Sequence, residues 1–225
     1  MKKLSIKDVI EFKRKSEQSK KTFVNNLKLD KKKVEAEAGG DYWVISTSAI
    51  SNVYRSNDLQ IIKDKIDEVE EKIESTENVQ VKAMYQKNIN ILKSFENFDF
   101  KKWYPSKKMN LIKTKKANSL LTIKGLEVQA LPHHVFTYKK NDIEEIGAIW
   151  FIAKINGYKK DELGMFADML YKYLKVNFSK DYLINPKYCI AVDIVKIQDI
   201  NYSQIQKVEI PELLTPTLDE IKKLL

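Results

Sequence analysis

Three polar side chains interrupt or border the most apolar runs of this sequence, and each could take part in chemistry. Asp193 lies inside the run Cys-Ile-Ala-Val-Asp-Ile-Val, and Lys154 lies near the end of the run at 146–155. His133 is followed by His134, and an imidazole can act as a general acid or base near neutral pH. A carboxylate is costly to bury without a partner. We therefore expect Asp193 to contact Lys154 or to cap a loop, in preference to a catalytic role.

Other acidic residues could join a site built on these side chains. Adjacent residues of a strand point to opposite faces, so at most one of the two histidines can face a given site. The additional acids are Glu127, Asp142, Glu144 and Glu145. A site would require several of these residues to converge in one cleft.

The elements that must position these residues occupy the second half of the chain. Apolar runs predict four strands, and residues 161–178 predict a helix with one apolar face before the last strand. The runs are residues 120–130, 135–138, 146–155 and 188–195. The third run is almost unbroken, which is typical of a strand covered on both faces, so we expect it in the middle of a sheet. A crossover helix makes the last strand its parallel neighbour, and the order is β-β-β-α-β.

The first half of the chain predicts helices. A first helix starts at Ser5 or Asp8 and continues to Leu27, and another follows Asp41, whose Gly-Gly-Asp segment is interpreted as a loop and helix cap. A heptad seam then predicts a long helix, and an apolar stripe at residues 81–95 predicts a second helix packed antiparallel on it. The seam residues are Leu59, Ile62, Ile66, Val69 and Ile73. The predicted fold class is α+β, with a helical region and hairpin at 1–98, a basic linker at 99–118 and a mixed sheet domain with a C-terminal tail at 119–225.

The net charge of +9 is unevenly distributed. Residues 1–33 contribute +8 and residues 101–116 contribute +7, so the rest of the chain carries −6. Such basic segments suit phosphate or another acidic surface. The competing interpretation is that lysine is the solubilising residue of a low-GC genome, because only Arg14 and Arg55 occur. With so little arginine, any nucleic-acid contact is expected to address the backbone without strong sequence specificity.

The predicted linker places aromatic residues among lysines. Aromatic rings can stack on bases while ammonium groups neutralise phosphates. The sequence favours the alternative, in which Phe98, Phe100 and Trp103 seal the helical region against the sheet. The candidate nucleic-acid-binding residues are Lys101, Lys102, Trp103, Lys107, Lys108, Lys113, Lys115 and Lys116.

Composition excludes some classes of protein. No apolar run approaches the ~20 residues of a membrane span, and the N-terminal residues lack the apolar core of a signal peptide. We therefore expect a cytoplasmic protein without a membrane partner. The single cysteine, Cys189, lies in an apolar run and is interpreted as a buried structural thiol. One cysteine and two histidines exclude a Cys/His zinc site.

The order of helix, three strands, crossover helix and strand resembles the core of the restriction-endonuclease-like, or PD-(D/E)XK, nuclease superfamily. Leu131-Pro132-His133 is similar to the first family motif, with His133 in place of the aspartate. Ile152-Ala153-Lys154 is similar to the second, with the lysine kept and Ile152 in place of the acid. The family's acids bind a divalent metal and its lysine orients the attacking water. The resemblance implies Lys154, Asp193 and His133 as catalytic candidates and a metal site that has lost its ligands.

Two functions of different classes follow. One is a nucleic-acid-associated bacterial protein of the defence, repair or mobile-element type, on a degenerate nuclease-like core that binds DNA or RNA backbone. The other is a structural or interaction subunit that binds a protein partner through its helical hairpin. An active metal-dependent nuclease is a lesser alternative. No cofactor is expected, and Mg²⁺ is implied only if that alternative holds.

Overall fold

The computed structural model describes residues 3–29, 42–106, 108–113 and 119–225. In chain order its elements are β1 (Leu4–Ser5), α1 (Ile6–Arg14), α2 (Glu17–Lys28), α3 (Val44–Ser56), α4 (Gln60–Ser75), α5 (Val79–Phe95), a 3₁₀ helix (Phe100–Trp103), β2 (Asn110–Ile112), β3 (Leu120–Ile123), β4 (Leu126–Gln129), β5 (His134–Lys140), β6 (Ile143–Ile152), α6 (Lys160–Phe178), β7 (Leu183–Asp193), β8 (Gln198–Asn201), α7 (Tyr202–Gln206) and α8 (Leu214–Leu224). The fold class is α+β, as predicted.

The centre of the fold is a five-stranded mixed sheet with the order β2-β5-β6-β7-β8. β6 pairs antiparallel with β5 and parallel with β7, and α6 forms the crossover between β6 and β7. The predicted central position of the third apolar run and the parallel last strand are both confirmed. The strand itself begins earlier than predicted, at Ile143, and ends at Ile152.

Side chains of β6 alternate between two apolar clusters, one on each face of the sheet. Ala148 and Ile152 face a cluster formed with α1, α2, α6 and α8, and Ile149 and Phe151 face a cluster formed with α3, α4, α5 and the 3₁₀ helix. Both faces are therefore covered, which explains why the run is apolar at nearly every position. Gly147 contributes no apolar side chain to this strand. There is no space for one, because an added Cβ would lie 2.7 Å from the Cβ of Tyr188.

The run at 120–130 is not one strand of this sheet, and that prediction is wrong. It forms the hairpin of β3 and β4, which builds a separate three-stranded sheet with β1. Lys124 and Gly125 have φ values of 53° and 79° and form the turn, a conformation in which glycine is favoured. The five-stranded sheet keeps the β-β-β-α-β order because β2 supplies its first strand.

The N-terminal helix is also divided, so the single predicted helix is wrong. Ser5 does start α1, where its hydroxyl accepts from the backbone N–H of Asp8 while the Asp8 carboxylate accepts from the N–H of Ser5. Lys15 and Ser16 then adopt extended backbone, and α2 begins after Ser16. The predicted cap at Asp41 and the Gly39-Gly40 pair lie outside the described residues.

The helical hairpin of α4 and α5 is confirmed. Ile62, Ile66 and Val69 of the seam are buried, and Asn78 caps α5 by accepting from the backbone N–H groups of Gln80 and Val81. The hairpin packs within the same molecule, where Ile89, Leu92 and Phe95 join the cluster on one face of the sheet.

The three predicted segments of the chain are not separate in the structure, because elements of one pack with elements of another. The 99–118 segment contains the 3₁₀ helix and β2, so it is not only a linker. Strand β1 and helix α1 of the 1–98 segment pack with β4, α6 and α8. No helix among the described residues is long and apolar enough to cross a membrane.

Candidate functional site

The two positions that resemble nuclease motifs come together at one end of the central sheet. His133 immediately precedes β5 and Ile152 ends β6, and both line the same cavity of about 360 Å³. The backbone of His133 extends the strand pairing, since its N–H donates to the carbonyl of Ile149 at 3.0 Å. Its Nδ1 accepts from the N–H of Phe151 at 3.2 Å, so in the neutral ring the hydrogen lies on Nε2. The two positions are therefore neighbours in space.

The chemical part of the resemblance is missing. Ile152 is 3% exposed and supplies no ligand atom where the family has an acid. Magnesium needs several oxygen ligands in near-octahedral geometry. The described residues contain no group of three His, Cys, Asp or Glu side chains that could hold a metal ion. The residues present do not fit a magnesium centre.

Asp193 is a structural residue that caps a loop. It is fully buried at the end of β7, and its Oδ2 accepts from the backbone N–H of Tyr158 at 2.6 Å. Its Oδ1 accepts from the N–H of Val195 at 2.9 Å and from that of Lys196 at 3.4 Å. These bonds hold the loop after β6 against the loop after β7. Of the two roles expected for Asp193, loop capping is the one observed.

Lys154 does not pair with Asp193. Its Nζ lies 5.9 Å from the centre of the Tyr158 ring, over its face. Among the described residues, the structure shows no ion pair for this half-buried ammonium. Lys154 therefore places its ammonium group beside the loop that Asp193 organises.

The other candidate side chains are dispersed. His134 points to the opposite side of the sheet from Ile152, where its Nε2 lies 2.8 Å from the hydroxyl and 2.9 Å from the carbonyl oxygen of Ser51. Burial lowers the pKa of His134, so it holds α3 to β5 as a neutral ring. Glu127 lies exposed on the small sheet, and Asp142 and Glu144 lie exposed at the start of β6.

Glu145 belongs to a separate buried cluster. Its carboxylate accepts from the Tyr138 hydroxyl and from the Asn185 amide. Burial, with the neighbouring carboxylate, raises the pKa of Tyr138, which stays protonated as the donor. The convergence of several acids that catalysis requires does not occur.

Two further cavities adjoin the one lined by His133, and all three share Trp43 as a wall. Their volumes are about 330 and 320 Å³, and they extend past Ile155 toward Val195, beyond the ends of β6 and β7. We call these three cavities together the strand-end groove. In sheets with parallel strands, ligands bind preferentially outside the carboxyl ends of the strands. The strand-end groove lies at the carboxyl ends of β6 and β7, the parallel pair of this sheet.

Positive charge and aromatic rings line the strand-end groove. Lys7, Lys87 and Lys154 border it, and Glu11 is the one carboxylate among the described residues that line it. The ammonium of Lys87 lies 5.6 Å from the centre of the Tyr42 ring. Like Lys154, Lys87 has no ion pair among the described residues. The aromatic wall residues are Tyr42, Trp43, His133, Trp150, Phe151, Tyr158 and Phe166.

No protein-family model matches the chain, and comparisons with curated proteins and with solved structures found no significant match. The candidate site is therefore defined by the geometry of the chain itself.

The predicted nucleic-acid-binding residues of the linker are placed differently from one another. Trp103 is 2% exposed and packs against Phe98, Phe100 and Phe151, so its ring cannot stack on a base, and this assignment is wrong. Lys102 pairs with Asp199 at 2.9 Å. Lys101, Lys108 and Lys113 are exposed and lie outside the strand-end groove. Lys107, Lys115 and Lys116 lie outside the described residues.

Sequence reasoning missed Lys7, Lys87 and the aromatic pair at Tyr42 and Trp43. The pair was a usable signal, since two adjacent aromatic residues directly precede α3 there. Lys87 gave no signal, because lysine is common throughout the chain and its position on α5 does not distinguish it. Cys189 is fully buried, as predicted, and burial raises the pKa of its thiol.

Proposed function

We propose that this chain binds nucleic acid along the strand-end groove, through phosphates and without metal-dependent cleavage. The observation that carries the proposal is the pair Lys87 and Lys154, two ammonium groups without carboxylate partners among the described residues, on a groove walled by aromatic rings. Phosphate contacts provide most of the affinity of non-specific binding, and aromatic side chains provide stacking surfaces.

The contrast with other basic residues supports this choice. Arg14 donates two hydrogen bonds to the buried carboxylate of Glu162, and Lys20 pairs with Glu17 and Glu220. The charges of Arg14 and Lys20 are therefore balanced by carboxylates of the same chain. Lys87 and Lys154 instead lie over rings, which orient an ammonium group without cancelling its charge.

The test is a fluorescence anisotropy titration with labelled single-stranded and double-stranded DNA and RNA at several salt concentrations. The variant replaces Lys87 and Lys154 by glutamine. The matched control replaces Lys63 and Lys175, two exposed lysines on α4 and α6, and therefore has the same net charge.

The groove variant should lose about tenfold or more in affinity at low salt, equally for all sequences. Its log–log salt slope for single strands should become shallower by about 1.4, since each phosphate contact contributes about 0.7. The control should lose little. Absence of binding by the wild-type chain at about 50 mM salt, or an equal loss in both variants, would contradict the proposal.

A third variant tests the linker separately. Replacing the exposed Lys101, Lys108 and Lys113 by glutamine should weaken binding if these side chains continue the interface beyond the groove. If affinity does not change, the interface is confined to the groove.

A protein-interaction role for the helical hairpin is the second candidate. The outer face of α4 supports it, because this face carries a cluster of exposed acids that would attract a basic partner. The residues are Asp64, Asp67, Glu70, Glu71 and Glu74. If this surface serves a separate partner, replacing three of these acids by lysine should change nucleic-acid affinity only slightly. A small increase is expected, because the substitutions add positive charge.

A further inference from the structure

The cavity lined by His133 has the size and lining of a small-ligand site. Its volume of about 360 Å³ lies at the lower end of the range of ligand pockets and is sufficient for one ring system. Trp150 and Phe166 form its apolar side, with ring centres 5.3 Å apart in an edge-to-face arrangement. Trp150 is half-buried, so part of its ring remains accessible.

Polar groups also line the cavity. Gln129 ends β4, and its half-buried amide offers both donors and an acceptor. Thr47 on α3 donates its hydroxyl hydrogen to the carbonyl of Trp43 at 2.8 Å, which leaves the hydroxyl oxygen as an acceptor. His133 adds its ring, whose Nδ1 is already occupied by the N–H of Phe151. An apolar ring surface together with an amide and a hydroxyl suits a flat heterocycle with donors and acceptors on its edge.

We propose that this cavity receives a single unstacked base from the strand bound along the groove. This inference rests on the proposed function, because the lysines would hold the phosphates while the cavity takes one base. The strand-end groove continues from the cavity past Lys154, so a backbone can follow it while one nucleotide turns inward. Chains that extrude a base bind single-stranded or mismatched substrates best, because unpairing costs least there.

Leu131 offers a way to close the cavity without removing a charge. It lines the cavity and is 47% exposed, so Leu131→Trp should fill the entrance while the core stays packed. Leu111→Trp is the matched control, since Leu111 is 37% exposed on β2, away from the cavity. A second variant, Gln129→Leu, keeps the side-chain size and removes the amide.

The experiment compares three probes in the full-length chain. One is a labelled 12-nucleotide single strand, one is the same backbone with abasic positions, and one is free deoxyadenosine monophosphate. Urea unfolding of each variant shows whether it remains folded. The wild type should bind the intact strand about tenfold more tightly than the abasic strand, since one base–aromatic stack contributes about a factor of ten. Leu131→Trp should abolish this difference, Gln129→Leu should reduce it, and Leu111→Trp should leave it unchanged.

The outcomes separate the inference from the proposed function. Equal affinity for the intact and abasic strands, with the dependence on Lys87 and Lys154 retained, would overturn the base pocket and leave backbone binding in place. Free nucleotide bound as tightly as the intact strand would overturn the strand as the source of the base. No binding of any strand by the wild type would overturn both. If Leu131→Trp is unfolded, Gln129→Leu decides, and a preference that it leaves unchanged counts against the pocket.

Discussion

Replacing Asp193 by alanine should destabilise the fold, and this result would separate a structural role from a catalytic one. The buried carboxylate accepts two short hydrogen bonds, from Tyr158 at 2.6 Å and Val195 at 2.9 Å, and a longer one from Lys196. A hydrogen bond to a charged group contributes about 1.5–3 kcal/mol, and a buried donor left without a partner costs about 1–3 kcal/mol. Because the substitution also removes the cost of burying a carboxylate, we expect a net loss of about 3–5 kcal/mol.

Asparagine at position 193 should have a smaller effect. Its amide oxygen can replace one carboxylate oxygen, but its NH₂ group would face a backbone N–H, so one of the two short bonds is lost. The expected destabilisation is about 2 kcal/mol. Gly157 lies against the same carboxylate at φ 67°, and an added Cβ there would come within 2.5 Å of Oδ2, which shows how closely this loop is packed.

The assay is equilibrium unfolding in urea, followed by tryptophan fluorescence and circular dichroism. Asp67→Ala is the control, since Asp67 is exposed on α4 and a surface substitution should change stability by no more than about 0.5 kcal/mol. An Asp193→Ala protein within about 1 kcal/mol of wild type would refute the structural interpretation. It would also make Asp193 a catalytic candidate again.

Three further outcomes are expected. Phe151→Ala should cost about 3–5 kcal/mol in the same assay, because the ring is 1% exposed between α3 and the 3₁₀ helix; a loss under about 1 kcal/mol would contradict a central position of β6. Burial raises the pKa of Asp168 to about 6, although Lys172 contacts it, so the folded chain holds this proton more tightly than the unfolded chain and stability should fall as pH rises from about 4 to 6. Asp168→Asn should reduce this loss of stability by about 2–3 kcal/mol. Identical pH profiles of stability for wild type and variant would show that Asp168 is not its cause. Purified wild-type protein should not cleave DNA strongly with magnesium or manganese; robust cleavage that a folded Lys154→Ala variant loses would show that a working site is present.

The central sheet was predictable because burial on both faces leaves a direct trace in the sequence. The run that became β6 has few polar interruptions, and the amphipathic run that became α6 is long enough to cross between parallel strands. The heptad seam of α4 was equally informative, since apolar residues that alternate at spacings of three and four form a continuous stripe only on a helix. These elements are determined mainly by the periodicity of their own side chains.

The misassigned elements depended on interactions that periodicity does not record. The turn at Lys124 and Gly125 divides residues 120–130 into a hairpin, and Lys-Gly is a weaker turn signal than Asn-Gly. Strand β2 has only three residues, and its pairing with β5 determines it. The break at Ser16 lies inside a run whose apolar spacing continues on both sides. The periodicity of apolar residues alone was therefore not sufficient to assign these elements.

The sequence singled out some residues near the candidate site, and it did not determine their chemistry. His133 and Ile152 were compared with motif positions that adjoin in space, and the two residues do line one cavity. The roles of the polar residues could not be read from type alone, because Asp193 and Lys154 both interrupt apolar runs and only the carboxylate is fully buried. Trp103 shows the same limit, since an aromatic residue among lysines can equally be a core residue.

Ile152 and His133 supply no carboxylate at the end of this sheet, and this affects what that end can attract. Carboxylates at these positions would recruit a cation and, without it, repel a phosphate. With isoleucine at position 152 and an imidazole at position 133, the charges that line the strand-end groove are mainly ammonium groups. Glu11 offsets part of them. Surface ion pairs contribute little to stability, so the lack of an ion pair for Lys87 and Lys154 among the described residues costs the fold little, and both ammonium groups remain available to an anionic ligand. For the proposed function, these charges favour direct contact between the ammonium groups of the strand-end groove and phosphate, without a metal between them.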